Sequence, residues 1–405
     1  MDDPQSQDHV PFLKRVRIRD YKSIATADVE LGPLTVLVGR NGSGKSNFLD
    51  ALRFVADGLQ TSLDHAIKSR GGFNSLRKSG FGPSRSFAIA LEVMLPGGQT
   101  AAYELEVAER ANGGFLIPRE LLRIESADRI VLASYEIEAG RMVKASIEHM
   151  SPGFPDRLYL VSASGFPQFR AVYDFLASMG FYNLNPETMR ELQTPDAGGM
   201  LHRDGGNIAS VIARLRRDQP ESVERILSYL TLVTPGIEGF GEFPLGSRET
   251  IFFLQTFQQS FFAESMSDGT LRALGILVAV IPTADRSSSA SLVGIEEPET
   301  ALHPAAAGAL MDALREASSH TQILVTSHSP DLLDQVSLDT DRLFAVVWRE
   351  GTTVVATIDG ASREAIRSHL YTPGELLRLD QLEPSQADLK RQEQTQLVQS
   401  KESDV

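Results

Sequence analysis

The segment Gly39–Ser46, GRNGSGKS, has the residue types and spacing of a loop that binds phosphate groups. It matches G-x-x-x-x-G-K-S in full, follows the apolar stretch TVLV and precedes the helix-forming stretch NFLDALRFV. Its glycines allow a tight turn with inward N–H groups, and the helix start adds a partial positive charge. Lys45 is expected to reach the β- and γ-phosphates, and Ser46 to bind Mg²⁺. The residues expected to bind nucleotide here are Gly39, Asn41, Gly42, Ser43, Gly44, Lys45, Ser46 and Asn47.

Two adjacent carboxylates, Glu296 and Glu297, follow the apolar stretch LVGI. Taken alone, they indicate an acidic strand end in contact with solvent. Together with the phosphate loop upstream, they favour a role beside the nucleotide. Glu296 is then expected to hold Mg²⁺, directly or through water, and Glu297 to orient or deprotonate the water that attacks the γ-phosphate.

His328 lies in TSHSP, directly after the apolar stretch QILV. An isolated histidine at a strand end is most often a surface residue. Since ligands of α/β proteins bind at the carboxyl ends of the strands, its position favours a hydrogen bond to the γ-phosphate.

A second helix start, SMSDGTLRALGILVAV, places Ser267, Asp268, Gly269 and Thr270 before an apolar helix. Helix capping explains these residues locally. A helix N-terminus with small hydroxyl residues is also a site for phosphate. One chain needs only one such loop, so this second site suggests a nucleotide bound to another subunit, and hence a homodimer.

The elements that must position these residues form an α/β pattern. Short apolar strands alternate with helices at both ends of the chain, as in parallel sheets. Ser86 to Ile147 alternates polar and apolar residues, which predicts an antiparallel meander. Phe169 to Leu232 has mainly helical spacing, and Pro220 divides two of its helices. No heptad pattern persists, so no long coiled coil is expected.

Composition narrows the class of protein. The 405 residues are 42% hydrophobic and 23% charged, which is ordinary for a globular protein. The net charge of −14 argues against a surface built for nonspecific nucleic-acid binding. Two basic stretches, Leu13–Lys22 and Ala213–Asp218, are interpreted as solvated faces rather than DNA contacts. The absence of cysteine excludes disulfides, and neither a membrane span nor a secretory signal is evident, so a cytoplasmic location is expected.

The ordered motifs GRNGSGKS, SDGT, GIEEPETALHP and TSHSP resemble those of the ABC-type ATPase heads of RecF, SMC and the overcoming-lysogenization-defect (OLD) nucleases. VRIRDYKSI looks like the strand that opens such heads. Phrases such as YLVSASGFPQFRAVYDFL, GFYNLNPETMRELQ and GGNIASVIARL are similar to stand-alone predicted ATPases of bacteria. The resemblance covers nearly all of residues 12 to 380.

This resemblance implies an α/β P-loop NTPase of the ABC-ATPase type. A mixed central sheet, an antiparallel β subdomain and a short helical lobe are expected. The ATPase head would occupy residues 1–380, with lobe I at about 10–160 and 285–380 and lobe II at about 165–284. A polar, disordered tail is expected at 381–405.

The resemblance also implies residue roles. Ser267 to Thr270 would be the signature loop, which contacts the γ-phosphate bound to the opposite protomer. Glu296 would be the Walker B acid, Glu297 the catalytic glutamate, Thr300 to His303 the D-loop and His328 the switch histidine. Asp268 departs from the glycine of transporters, and His303 from the usual D-loop aspartate. The Gln loop is not obvious; Gln168 follows RLYLVS, interpreted as a strand, but a surface glutamine is favoured there.

The implied activity is Mg²⁺-dependent hydrolysis of ATP by a nucleotide-sandwich homodimer. DNA repair or phage defence is the implied setting, with DNA and a separate nuclease or other effector chain as possible partners. The alternative is a nucleotide-gated clamp or scaffold with slow turnover that recruits a separate nuclease.

Overall fold

The computed structural model describes residues 11–78, 86–110, 113–148, 150–151, 153–256, 259–281 and 290–392. The strands are β1 Phe12–Tyr21, β2 Ile24–Glu30, β3 Leu34–Val38, β4 Ser86–Met94, β5 Thr100–Glu109, β6 Phe115–Glu125, β7 Val131–Glu138, β8 Arg141–Ala145, β9 Gly180–Tyr182, β10 Ile237–Leu245, β11 Arg248–Gln255, β12 Gln259–Phe262, β13 Leu292–Glu296, β14 Gln322–Ser327, β15 Arg342–Arg349 and β16 Thr352–Thr357. The α-helices are α1 Lys45–Gln60, α2 Leu63–Lys68, α3 Phe73–Leu76, α4 Tyr159–Ala163, α5 Pro167–Ala177, α6 Pro186–Arg190, α7 Ile208–Asp218, α8 Pro220–Val233, α9 Asp268–Val280, α10 Ala307–Ala317, α11 Pro330–Leu333, α12 Gly360–Arg367 and α13 Pro373–Arg378.

One mixed sheet of 13 strands organises the protein, in the order β8-β7-β6-β5-β4-β1-β2-β16-β15-β3-β14-β13-β9. Strands β15, β3, β14, β13 and β9 run parallel to one another. Strands β4 to β8 form the predicted antiparallel meander, which continues the central sheet through β1 and β2. The predicted mixed sheet and antiparallel region are confirmed.

The core lies on both faces of this sheet because side chains of the central strands alternate between two apolar clusters. In β3, Leu37 packs in the cluster that contains α1 and the meander, whereas Val36 and Val38 pack in the cluster that contains α7 to α10. All five residues of β3 are buried. This double burial explains the almost wholly apolar sequence of the strand that precedes the phosphate loop.

The residues predicted to form the helical lobe contain α5 to α9 and also a three-stranded antiparallel sheet, β10-β11-β12, but α5 packs with α1 in the cluster on the other face of the central sheet. Among the described residues the longest helix is α1, with 16 residues. The expectation that no long coiled coil is present is therefore met in that part of the chain. No helix there is long and apolar enough to cross a lipid bilayer.

Two local expectations need correction. RLYLVS contains the start of helix α4 rather than a strand, because the buried carboxylate of Glu120 accepts the N–H groups of Tyr159 (2.6 Å) and Leu160 (2.8 Å). The segment expected to be a disordered tail packs on the domain as far as residue 392, because Leu382 is buried and the Gln392 amide donates to Val355 O at 3.0 Å. Residues 393–405 lie outside the described part.

Candidate functional site

Three adjacent parallel strands end at one edge of the sheet and bring the predicted site together. In the register, Val38 of β3 pairs with Ser327 of β14, and Thr326 of β14 pairs with Glu296 of β13. The phosphate loop, His328 and Glu297 therefore follow these strands at the same edge. This is the edge at which α/β sheets bind ligands.

The phosphate loop depends on its glycines. Gly42 (φ 79°) and Gly44 (φ 101°) lie in the left-handed region that disfavours side chains. Gly39 is needed for a different reason, since a Cβ there would lie 2.0 Å from the carbonyl oxygen of Val346. The loop can therefore form its tight turn only with glycine at these positions.

Lys45 lies buried inside this loop and begins α1. Its ammonium group donates to the carbonyl oxygens of Gly39 (2.7 Å) and Arg40 (3.1 Å). Burial lowers the pKa of Lys45, and the nearby carboxylates of Glu297 and Glu299 act in the opposite direction. The buried ammonium group of Lys45 therefore lies near the carboxylates of Glu297 and Glu299.

A chain of side-chain hydrogen bonds ties the loop to the turn between β1 and β2 and to the last strand, β16. Asn47 Nδ2 donates to Ser23 Oγ (2.6 Å), which lies 2.7 Å from Thr353 Oγ1. Thr353 Oγ1 donates in turn to Ser43 O at 2.8 Å. Asn47, expected to bind nucleotide, therefore also holds the loop in place.

Replacing Thr353 with valine is expected to lower the free energy of unfolding by about 1–3 kcal/mol, because the buried Ser43 carbonyl oxygen and the partly buried Ser23 hydroxyl lose their hydrogen-bonding partner. Urea denaturation measures this change. Thr231→Val on the surface of α8 is the control, expected to change stability by less than about 0.5 kcal/mol. Equal changes in the two variants would show that the Thr353 hydroxyl does not stabilise the loop.

The acidic side of the site has an unusual backbone. Glu297 adopts φ 47°, which is uncommon for a residue other than glycine, and its N–H donates to Thr326 O at 2.9 Å. Its Oε1 lies 3.0 Å from His328 Nδ1, a short contact that lacks the direction of a hydrogen bond. The structure therefore places Glu297 and His328 side by side.

Glu299 is a site residue that the sequence interpretation missed. Its Oε1 accepts from Ser327 Oγ (2.6 Å) and from the His328 N–H (3.2 Å), so it fixes the turn that carries the histidine. Its position in EEPE, two residues after Glu297, was the available signal.

Three buried polar atoms at this edge have no hydrogen-bond partner among the described residues: Ser43 Oγ, Glu299 Oε2 and His328 Nδ1. Buried polar atoms normally have partners, so such a group at one site indicates a polar ligand. A triphosphate with Mg²⁺ and water fits because it offers both acceptors and donors.

The described residues include no cluster of three or more His, Cys, Asp or Glu that could hold a metal. Exposed Ser46 and half-buried Glu296 are the residues that could bind Mg²⁺ beside phosphate oxygens.

The second helix start lies on the other lobe. Ser267 caps α9, accepting from the Thr270 N–H at 3.2 Å, and Asp268 pairs with Arg190, which also donates to Met266 O at 2.9 Å. Ser267 and Asp268 are exposed. For the residues described, no hydrogen bond or ion pair joins them to the phosphate loop of their own chain.

Gly269 brings this helix against the turn expected to be the D-loop. A Cβ at Gly269 would lie 2.4 Å from Ala301 O, and Ala301 itself has φ 65°. His303 Nδ1 accepts from the Ala305 N–H at 3.2 Å, so the histidine caps the short helix Pro304–Ala306. The close approach of Ala301 O leaves no room for a side chain at position 269.

Gln168 does not follow a strand. It is exposed at the second residue of α5, as the surface interpretation expected. The outermost strand of the sheet on this side is β9, which pairs with β13, and the residue that follows β9 is Asn183.

Comparison with known proteins agrees with this geometry. A family model described as "AAA domain, putative AbiEii toxin, Type IV TA system" matches residues 34–334. The DNA replication and repair protein RecF of Pseudarthrobacter chlorophenolicus is 38% identical over 105 residues, which is 25% of this chain and 23% of RecF. The OLD nuclease of Thermus scotoductus is 39% identical over 52 residues, 13% of this chain and 10% of that one. These relatives are thus matched over less than a quarter of their length.

Solved structures share the fold. The SMC head bound to the C-terminal winged-helix domain of ScpA has a TM-score of 0.53 and 15% identity, over 87% of this chain and 99% of that one. An SMC head with an extended coiled coil, derived from Pyrococcus furiosus, has a TM-score of 0.54 and 13% identity, over 89% of this chain and 99% of that one. From the family match the chain belongs to this AAA-domain family, and its motifs and fold are similar to those of RecF, the OLD nuclease and the SMC head.

Proposed function

We propose that the protein hydrolyses ATP with Mg²⁺ at sites formed between two copies of the chain. The observation that carries this proposal is the set of three buried polar atoms without a hydrogen-bond partner, Ser43 Oγ, Glu299 Oε2 and His328 Nδ1, at the strand ends that lead into the phosphate loop and Glu297. A ligand with phosphate oxygens and a bound water satisfies these atoms together.

Each residue has a role in this proposal. The loop from Gly39 to Asn47 binds the phosphates, with Lys45 at the β- and γ-phosphates. Ser46 and Glu296 would hold Mg²⁺, which would supply charge neutralisation at the phosphates. Glu297 takes the proton of the attacking water, and His328 donates to the γ-phosphate. Glu299 holds the His328 turn by accepting from its N–H.

The second copy completes the site. Ser267, Asp268 and Gly269 lie on the other lobe, where Ser267 and Asp268 are exposed, and they contact the γ-phosphate bound to the partner. The separation of this helix start from its own phosphate loop supports an arrangement in trans. ATP then closes the dimer, and hydrolysis releases it.

The expected result is phosphate release from ATP that stops when EDTA removes Mg²⁺. Specific activity should rise with protein concentration because two chains form each site. The chain's only tryptophan, Trp348, lines a cleft of about 620 Å³ with Gly39–Ser43, so its fluorescence can follow nucleotide binding. If the protein neither hydrolysed nor bound ATP at any concentration, the proposal would be refuted. The same assays with GTP test whether the site prefers adenine or guanine.

The biological setting we propose is cytoplasmic DNA repair or phage defence with a partner protein. The second candidate is a slowly hydrolysing clamp that recruits a separate nuclease. It is favoured by the pairing of basic side chains of β1 with carboxylates, which leaves little positive charge for DNA. These pairs are Lys14–Glu92, Arg15–Asp28, Arg17–Glu104 and Arg19–Glu106. Activation of hydrolysis by double-stranded DNA would favour the repair ATPase instead.

A further inference from the structure

The carboxylate of Glu296 is paired with an arginine from a distant part of the chain. Arg203 Nη2 donates to Glu296 Oε1 at 3.1 Å, although 93 positions separate the two residues. The side chains are 46% and 23% exposed, respectively. Glu296 thus already has a cationic partner at the end of β13.

The backbone that carries Arg203 is firmly held. Its carbonyl oxygen accepts from the N–H of Asn183, directly after β9, at 3.0 Å, and Asp204 O accepts from the Asn185 N–H at 3.0 Å. Gly205 has φ 84°, and a Cβ there would lie 2.7 Å from Met189 Cγ. The turn is therefore fixed, whereas the long Arg203 side chain can leave Glu296 without any change in the turn.

A second arginine, paired with an aspartate, lies near Glu296. Arg53 of α1 lies in the same small pocket as Glu296. Asp50 lines that pocket as well, and its carboxylate pairs with Arg53 at 2.9 Å. A divalent cation arriving at Glu296 would need the carboxylate oxygen that Arg203 uses.

We propose that Arg203 is a positioning residue that competes with Mg²⁺ for Glu296, so that metal loading must displace its guanidinium. This inference rests on the proposed ATP–Mg²⁺ site. Arg203 then sets the Mg²⁺ concentration at which the site fills. The turn that carries Arg203 precedes α7 and is hydrogen-bonded to Asn183, directly after β9. The exchange of Arg203 for Mg²⁺ therefore takes place where β9 meets the helical lobe.

The test titrates Mg²⁺ at a fixed concentration of a fluorescent ATP analogue and follows its binding to the full chain. Arg203→Ala is expected to lower the half-saturating Mg²⁺ concentration about two- to fivefold, the range that loss of a partly exposed ion pair allows. Arg203→Lys should stay nearer the wild type because it keeps the charge. Arg217→Ala, which removes an exposed ion pair with Asp218 on α7, is the control and should leave the curve unchanged.

Melting curves with and without Mg²⁺ and ATP give a second readout and show whether each variant is folded. Arg203→Gln replaces Arg203→Ala if the latter does not fold. An unchanged Mg²⁺ requirement would overturn the inference, and so would a higher one, which would mean that Arg203 helps Glu296 to hold the metal. If the wild type bound no nucleotide at any Mg²⁺ concentration, the proposed function itself would fail.

Discussion

Glu297→Gln is expected to bind ATP like the wild type but to hydrolyse it about 100- to 10,000-fold more slowly, the usual contribution of a general base. The amide keeps the size of the side chain but cannot take a proton. The contact of Glu297 with His328 and its position near Lys45 put the lost group beside the proposed phosphate site.

Because hydrolysis releases the dimer in the proposed cycle, this variant should also accumulate as a dimer with ATP and Mg²⁺. Phosphate release measures the first effect, and size-exclusion chromatography with and without ATP measures the second. Glu238→Gln, at an exposed position on β10, is the control and should keep wild-type turnover. Normal hydrolysis by Glu297→Gln would remove Glu297 from the role of base.

Mixing two inactive variants, Lys45→Ala and Ser267→Arg, should restore ATP hydrolysis. In a mixed dimer, one site combines the intact phosphate loop of one chain with the intact Ser267 of the other. At equal amounts we expect about one quarter of wild-type activity, because half of randomly formed dimers are mixed and each has one intact site of two.

The matched control mixes Lys45→Ala with Glu297→Gln. Lys45 and Glu297 belong to the same half-site, since β3 and β13, which precede them, flank β14 in one sheet, so neither site of that mixed dimer is complete. Activity is measured over a range of mixing ratios. If Lys45→Ala and Ser267→Arg failed to complement at every ratio, the site formed between two chains would be disproved.

Several features could be predicted from sequence because they depend on residues close together in the chain. Gly42 and Gly44 of the phosphate loop are needed for local backbone angles, and Ser267 caps the helix it begins. The apolar stretches TVLV and QILV predict buried strands, and the parallel register then brings their ends together. For these features, the spacing of residues along the chain is enough to predict their positions in the structure.

Other features depend on contacts between distant residues, which spacing does not reveal. Nothing near YLVSA in sequence indicates a helix; a carboxylate from β6, Glu120, stabilises its start. Two other contacts between distant residues could not be predicted for the same reason. They are the ion pair of Arg190 with Asp268 and the hydrogen bond from Thr353 Oγ1 to Ser43 O. Gln392 likewise finds its acceptor on β16, so the folded region extends beyond the limit that composition indicated.

The sequence by itself determined that this protein has a phosphate-binding loop, a pair of carboxylates after a buried strand and a capped second helix start, since each is a short motif with a local physical cause. Only the tertiary structure decided which partner each carboxylate takes. Glu296 pairs with Arg203, Glu297 lies against His328, and Glu299 holds the His328 turn. Neighbouring residues take different partners because the chain turns sharply at Glu297, and the direction of each side chain depends on how the strands and the lobe pack around that turn.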